Sequence, residues 1–309
     1  MNADATPQAT HWAPDTLLPG HESMTMAFAP DYDGMVVATL VRKAGVARKK
    51  RAVLYVHGFI DYFFQAHMSD RFEAEDWSFY ALDLRKHGRS MLDGQHPCFC
   101  KRIDEYFADL TRAIDGIAAE VDGPLLLAGH STGGLVASLY ADAGERRERI
   151  SALWLNSPFF EFNVPAADRF KLGMAAAVGI VFPFLTDPKG LPPDYPMSLH
   201  KDHSGEWAFD LRLKPIKGLP IYLGWIGAIR AAHAKVHAGL SIACPVLVMH
   251  SDEADIILGW RSIEKWSPGL GKDVTLQSFP GALHDLVLSR AETRGAVFEK
   301  LFAWLSRIR

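Results

Sequence analysis

Cysteine is scarce in this chain, with Cys98, Cys100 and Cys244 the only three among 309 residues. An odd count, with a single residue between the first two, fits neither a disulfide framework nor the two-residue gap of zinc knuckles and redox motifs. The thiols therefore read as reduced, and no metal site is expected. An excess of one charge is missing as well. Lys and Arg number 33 against 36 Asp and Glu, a formal charge of −3 that offers no footprint for nucleic acid. The short basic stretch Arg48 to Arg51 stands just before the apolar run Ala52 to Val56 and reads as a solvated hairpin turn. The opening MNADATPQATHWAPDT has no basic or apolar region of a leader, which makes a cytoplasmic location the default expectation. The uncharged run Leu172 to Leu185 is fourteen residues long, too short for a hydrocarbon layer of about 30 Å.

What is present suits a large core. Hydrophobic residues make up 49% and charged residues 22%, with 18 Phe and 8 Trp to supply bulk. The length is compatible with one α/β domain carrying an insertion, or with two smaller domains. From Met35 onward, short apolar runs alternate with longer amphipathic ones, the pattern of a mostly parallel sheet covered by helices on both faces. Strands are predicted over Met35–Val41, Ala52–His57, Ser78–Asp83, Pro124–Ala128, Ser151–Asn156, Pro245–His250 and Val274–Phe279. Helices are predicted over His67–Glu75, Ile103–Ala119, Gly134–Ala143 and Ala291–Leu305. The alternation stops after Ser157 and resumes near Leu240. Residues 1–157 and 241–309 therefore read as the core and 158–240 as an inserted, mainly helical cap. Within it, Leu172 to Leu185 reads either as a helix over a ligand site or as one buried for packing alone.

The segment Gly129-His130-Ser131-Thr132-Gly133-Gly134 lies between the predicted strand LLLA and the helical pattern LVASLYA. Small residues around a serine at a strand-to-helix turn match the nucleophile elbow, where the turn holds the serine in strained φ/ψ space and lifts its hydroxyl above the sheet. Such a hydroxyl needs an imidazole base, itself oriented by a carboxylate. Of thirteen histidines, His284 has the right place, in the loop between the last strand and the last helix. His233 and His237 share a helical spacing but lack the glutamate of an HExxH site. The acid is expected in the loop Ser251 to Ile257, where Asp255 is preferred and Asp252 is the rival. Oxyanion donors are expected from the backbone amides of Phe59 and Thr132, with Gly58 allowing the sharp bend before Phe59. His57, Gly58, Tyr62, Phe63 and His130 flank these turns and are the candidate substrate-contacting residues. The aromatic stretch Asp61-Tyr62-Phe63-Phe64 reads as an acyl-pocket lining or as packing.

With HGF at His57–Phe59, ALDLRKHGRS at Ala81–Ser90, GHSTGG at Gly129–Gly134, PVLVMHSDEAD at Pro245–Asp255 and GALHDLVLS at Gly281–Ser289, the chain resembles α/β-hydrolases of the monoacylglycerol lipase and lysophospholipase-like group, the serine aminopeptidase S33 family. The resemblance covers the core from about Met35 onward, outside the cap. It implies the α/β-hydrolase fold and a triad in the order nucleophile, acid, base, which Ser131, Asp255 and His284 satisfy. It implies no cofactor. The chain departs from the family in placing His250-Ser251 and two aspartates where one Asp commonly follows a His-Gly pair. The expected activity is hydrolysis of a carboxylic ester with an apolar acyl chain, on a small-molecule or lipid substrate, with transient membrane or micelle contact through the cap. Aminopeptidase, thioesterase and carbon–carbon hydrolase activities stay open, as does a non-catalytic small-molecule receptor. Glu161, Glu206 and Asp210 are the candidates for holding a peptide N-terminus. Dehalogenase and epoxide-hydrolase chemistry is disfavoured, because a serine stands where those enzymes need a carboxylate. Oligomeric state is not legible.

Overall fold

Nine strands form a single sheet in the order β1-β2-β3-β5-β4-β6-β7-β8-β9. The computed structural model describes residues 11–187, 192–252 and 254–308. Residues 1–10, which carry most of the reading against a leader, and Glu253 of the acid loop lie outside them. Six strands run parallel: β4 (Arg51–Val56), β5 (Trp77–Asp83), β6 (Leu125–His130), β7 (Ile150–Asn156), β8 (Val246–His250) and β9 (Val274–Ser278). An antiparallel edge precedes them, made by β1 (Ala13–Pro14), β2 (His21–Asp31) and β3 (Gly34–Lys43). The seven strands read from the sequence are all present, and β1 and β2 are additional.

The period of two along each central strand divides the core into two layers. Leu54, Val56 and Leu127 point to one face, where α2 (Phe107–Ala118), α3 (Thr132–Ala143) and α6 (Leu223–Ala238) pack. Val53, Tyr55 and Leu126 point to the other, against α1 (Ala66–Ala74) and α8 (Ala291–Leu305). The strands are buried on both sides, which is why they read as continuous apolar runs. Helix α8 has the predicted bounds. The predicted helix Ile103–Ala119 instead opens with a 3₁₀ turn, Ile103–Tyr106, before α2 begins.

Two expectations are corrected here. Arg48 to Arg51 is not a hairpin turn, because β3 pairs with β5 and not with β4, so the segment is a crossover connection. Its charges lie on apolar surface: the Arg48 guanidinium sits 5.9 Å from the Tyr80 ring centre and that of Arg51 4.7 Å from the Trp77 ring centre. In the excursion between β7 and β8, which holds α4 (Arg169–Val181), α5 (Asp194–Leu199) and α6, the apolar helix begins three residues earlier than Leu172 and ends before Phe182-Pro183. It is not buried. Phe170 is 73% and Ile180 82% exposed, and Gly179 is the helix's one buried residue.

The segment ALDLRKHGRS is a buried polar scaffold. Asp83 accepts from the Phe63 amide (2.8 Å) and the Arg89 amide (3.0 Å) and pairs with the Arg89 guanidinium (2.9 Å), which also holds Asp15. Arg85 pairs with the fully buried Asp109. The Leu84 amide donates to His57 Nε2 at 3.1 Å. Charges enclosed in this way are tolerated because each is paired and hydrogen-bonded.

Four histidines are enclosed differently, as neutral rings. Burial is the leading cause that pulls His67 and His233 down to about 4, and His87 and His130 down to about 3. A lowered folded-state value means that the unfolded chain binds the proton first. This stability is complete above the unfolded value near 6.5 and is lost as pH falls toward the folded values. Each ring contributes a slope of up to about 1.4 kcal/mol per pH unit below that point. Urea unfolding measured between about pH 7 and pH 5 is expected to show a steep loss of stability. A flat profile over that range would contradict the neutral assignment.

Candidate active site

The sharpest local constraint lies at the carboxyl end of β6. Ser131 has φ +52° and ψ −117°, between the last residue of the strand and the first of α3. A Cβ at Gly133 would fall 2.3 Å from the His57 carbonyl oxygen and 2.4 Å from that of Val56. One at Gly129 would fall 2.5 Å from the Gly133 oxygen. No side chain larger than hydrogen fits at either position, so the glycine frame is a steric necessity. The strained turn is bolted to its neighbours: the Ser131 amide donates to the Asn156 carbonyl (3.0 Å), and the Ser131 carbonyl accepts from the Phe159 amide (3.0 Å).

Asn156, the last residue of β7, also holds the opposite loop. Its side-chain Nδ2 donates to Asp285 Oδ1 (2.7 Å), and its Oδ1 accepts from the Leu286 amide (3.2 Å). Asp285 is fully enclosed, and burial pushes its carboxyl above the ordinary range. This clamp fixes the loop that carries His284. His284 Nδ1 lies 2.8 Å from Asp255 Oδ2, while Asp255 Oδ1 accepts from the amides of Ile257 (2.8 Å) and Leu258 (2.9 Å). Burial alone would raise Asp255; the His284 ring and the two amides outweigh it, and the carboxyl lies below its usual value. An ionised carboxylate can only accept, so Nδ1 carries a hydrogen, and the neutral ring in this tautomer has its lone pair on Nε2. That Nε2 is buried and makes no hydrogen bond. Asp252, the rival acid, bridges two loops instead, accepting from the amides of Ala254 (3.1 Å) in its own and Gly281 (3.0 Å) in the one that carries His284.

Ser131 and His284 line one cavity of about 500 Å³, together with Gly58, Phe59, Thr132 and His130. They are brought together there without a hydrogen bond between them, an arrangement common before substrate enters a serine–histidine site. The Thr132 amide belongs to the first turn of α3 and has no acceptor within the helix. The Phe59 ring stacks on Trp225 of α6, with centroids 4.0 Å apart. The remaining wall is largely apolar, with Phe159, Phe162, Leu172, Ile221, Ile226 and Leu258. His130 lies 4.9 Å from the His284 ring and stays neutral.

Three expected contacts fall elsewhere. His57, Tyr62 and Phe63 are not among the residues lining the cavity. The His57 ring is committed at both nitrogens, to Gly58 and to the Leu84 amide. Phe63 packs against Phe79 and Tyr55, and Tyr62 Oη accepts from the Asp210 amide at 2.7 Å. Glu161, Glu206 and Asp210 do not line it either: Glu161 bonds Trp266 and Arg169, and Asp210 pairs with Arg212. His233 and His237 bond the carbonyls of Phe159 and Phe160, so they tie α6 to the chain after β7. Sequence reading missed a buried ion pair inside the cavity, Lys214 Nζ to Asp61 Oδ1 at 2.7 Å, which joins the excursion to the turn after Phe59. It also missed Asn156, for which a polar residue ending an apolar strand was the available signal. Among the described residues, no cluster of three or more His, Cys, Asp or Glu is placed to hold a metal ion.

A family model described as serine aminopeptidase, S33 matches residues 47–290. The chain belongs to that family. This S33 hydrolase is 25% identical over 284 residues to a putative monoglyceride lipase of Schizosaccharomyces pombe, covering 86% of the chain and 69% of that protein. Its fold is similar to that of a soluble variant of monoglyceride lipase from Saccharomyces cerevisiae solved with a substrate analog, with TM-score 0.72 and 18% identity over 93% of this chain and 97% of that one. It is also similar to the monoacylglycerol lipase of Paleococcus ferrophilus, with TM-score 0.65 and 22% identity over 85% and 96% of the two chains. The resemblance noted from the motifs and the α/β-hydrolase fold are thereby both found.

Two substitutions separate the acid loop's carboxylates. Asp255→Asn removes the acceptor that holds the His284 tautomer, and kcat on an activated ester should fall by about 10⁴-fold. Asp252→Asn should leave kcat within the same order of magnitude, because Asp252 touches neither His284 nor the cavity and an asparagine oxygen can still accept from both amides. The reverse ranking in steady-state kinetics would overturn the assignment. A third substitution tests the cavity's ion pair. Asp61→Ala strands Lys214 without a partner and should cost about 3–5 kcal/mol in denaturant unfolding.

Proposed function

We propose that this S33 hydrolase cleaves carboxylic esters with an apolar acyl chain through an acyl-enzyme on Ser131. The observation that carries the reading is the uncommitted, buried Nε2 of His284, held by an ionised Asp255 in the cavity that Ser131 enters on a strained turn. In the proposed sequence, Ser131 Oγ attacks the ester carbonyl as its proton passes to His284 Nε2. The amides of Phe59 and Thr132 take the negative charge that develops on the carbonyl oxygen. The imidazolium, stabilised by Asp255, returns the proton to the departing alcohol, leaving the acyl group on Ser131. Water then attacks that acyl carbon, giving up its proton to His284; as the bond to Ser131 Oγ breaks, the imidazolium returns the proton to Oγ and the acid departs. The mostly apolar wall favours an acyl chain over a peptide. Residues 158–240 act as a cap on this cavity, since Phe159, Leu172, Lys214 and Trp225 all contribute to it.

The cap also supplies a contact with lipid surfaces. Phe170, Met174, Val178, Ile180, Val181, Phe182 and Leu185 form an exposed apolar ridge along α4 and the residues after it. A patch of that kind marks an interaction site, and a lipid or micelle surface suits an enzyme whose substrate partitions there. No helix among the described residues is long and apolar enough to cross a membrane, so the contact would be peripheral.

A panel of p-nitrophenyl esters, monoacylglycerols, lysophospholipids, thioesters and amino-acid amides tests the substrate class. Medium-chain esters are expected to be preferred, and Ser131→Ala to abolish turnover and labelling by a fluorophosphonate. Full activity in Ser131→Ala, or a higher kcat/KM on the amides than on the matched esters, would reject the reading. Labelling without turnover on any member of the panel would favour a receptor. For the ridge, Ile180→Glu with Phe182→Glu should weaken vesicle binding and slow hydrolysis of emulsified monoacylglycerol, with a dissolved short ester unaffected. Equal losses on both substrates would count against a lipid-contacting role.

A further inference from the structure

A second cavity, larger than the catalytic one at about 800 Å³, lies on the outer side of the α4–α6 helix pair. It is bounded by those two helices, by the turn Lys101–Asp104 and by Leu139 of α3. The two cavities share no lining residue. Leu172 and Trp225 face the catalytic one, whereas their chain neighbours Gly173 and Gly224 face the other, so the helix pair is the partition between them. The outer cleft has a narrow apolar interior, because α4 and α6 present Gly and Ala to it along most of their length.

Its rim is cationic. Lys101, Arg102, Arg230 and Lys235 stand around it, with Asp104 as the one carboxylate, in a chain whose formal charge is −3. Asp104 is engaged by Arg102. Arg230 and Lys235 make no ion pair among the described residues, and the Arg230 guanidinium lies over Gly173, where a Cβ would come within 2.9 Å of Nη1. An apolar cleft beneath four cations that share a single carboxylate is complementary to an apolar chain with an anionic head. A neutral ester would leave the cations unanswered.

We infer that this cleft binds a long-chain carboxylate, the anionic product of the ester hydrolysis proposed above, at a place separate from the catalytic cavity. The source of the ligand rests on that reading, whereas the site itself rests on the cleft and its charges. The test uses the full chain with Ser131 capped by a fluorophosphonate, so that the catalytic cavity is filled. Equilibrium dialysis against radiolabelled laurate is expected to give about one bound equivalent, with dodecanol failing to compete. Arg230→Glu with Lys235→Glu is expected to weaken that binding by about tenfold or more, which is about 1.4 kcal/mol. Both side chains are exposed, so hydrolysis of a short dissolved ester should be unchanged in this variant. Absence of laurate binding, equal competition by dodecanol, or binding indifferent to the charge reversal would overturn the inference. Dodecyl phosphate bound tenfold or more tightly than laurate would overturn it in favour of a phosphate headgroup. Failure of Ser131 to take the phosphonate counts against the hydrolase reading alone. Laurate binding that survives the charge reversal counts against the cleft alone.

Discussion

The close approach of the turn after β6 to the end of β4 is the constraint on which the site depends. The backbone at Gly133 passes so near the Val56 and His57 carbonyls that only hydrogen fits between them, and the serine before it is forced to positive φ. Strain of this kind costs on the order of 1–3 kcal/mol and persists only where the surroundings over-determine it. Here Asn156 does so. Its carbonyl holds the Ser131 amide while its side chain holds Asp285 and the Leu286 amide, so one residue at the end of β7 sets both the turn of Ser131 and the loop of His284. The parallel sheet places these ends side by side, since β6 and β7 pair in consecutive register from Leu126 opposite Ala152 to His130 opposite Asn156, past an irregularity at Leu125.

A second layer of positioning comes from groups that never reach the cavity. His57 bonds the Gly58 carbonyl and the Leu84 amide, while Asp83 and Arg89 hold the Phe63 amide and carbonyl, so the turn that carries Phe59 is held at both ends. A loop fixed in this way can aim an amide without reorganising when charge develops in front of it. The basic and acidic residues of ALDLRKHGRS are conspicuous in sequence because they are charged, yet their work is structural.

Much of the architecture was legible in the sequence, and the failures have physical causes. The central strands are apolar on both faces and bounded by polar turns, and Ser131 sits among glycines, so periodicity and composition were sufficient there. Strand β2 was missed because Met24, Thr25 and Met26 alternate weakly, although Asp33-Gly34 at its turn was a usable hairpin signal: Gly34 has φ +91°. Choosing between Asp252 and Asp255 requires knowing which carboxylate the loop turns inward, and the Ile257 and Leu258 amides decide that only in three dimensions. Tyr62 and Phe63 attracted attention as rings beside an active turn. An aromatic residue signals burial, however, and not which side of the loop it will face. Of the two readings of the apolar run in the excursion, burial for packing fails because α4 is largely exposed, whereas Leu172 does line the cavity.

The stacking of Phe59 on Trp225, with the Asp61–Lys214 pair two residues further on, carries one more consequence. Both contacts grip the same short turn from the excursion side. An outward swing of α6 large enough to admit a bulky molecule would therefore release the ring of the residue whose amide is the proposed oxyanion donor. Opening the cavity at α6 and keeping that amide in place are thus competing demands on one short turn.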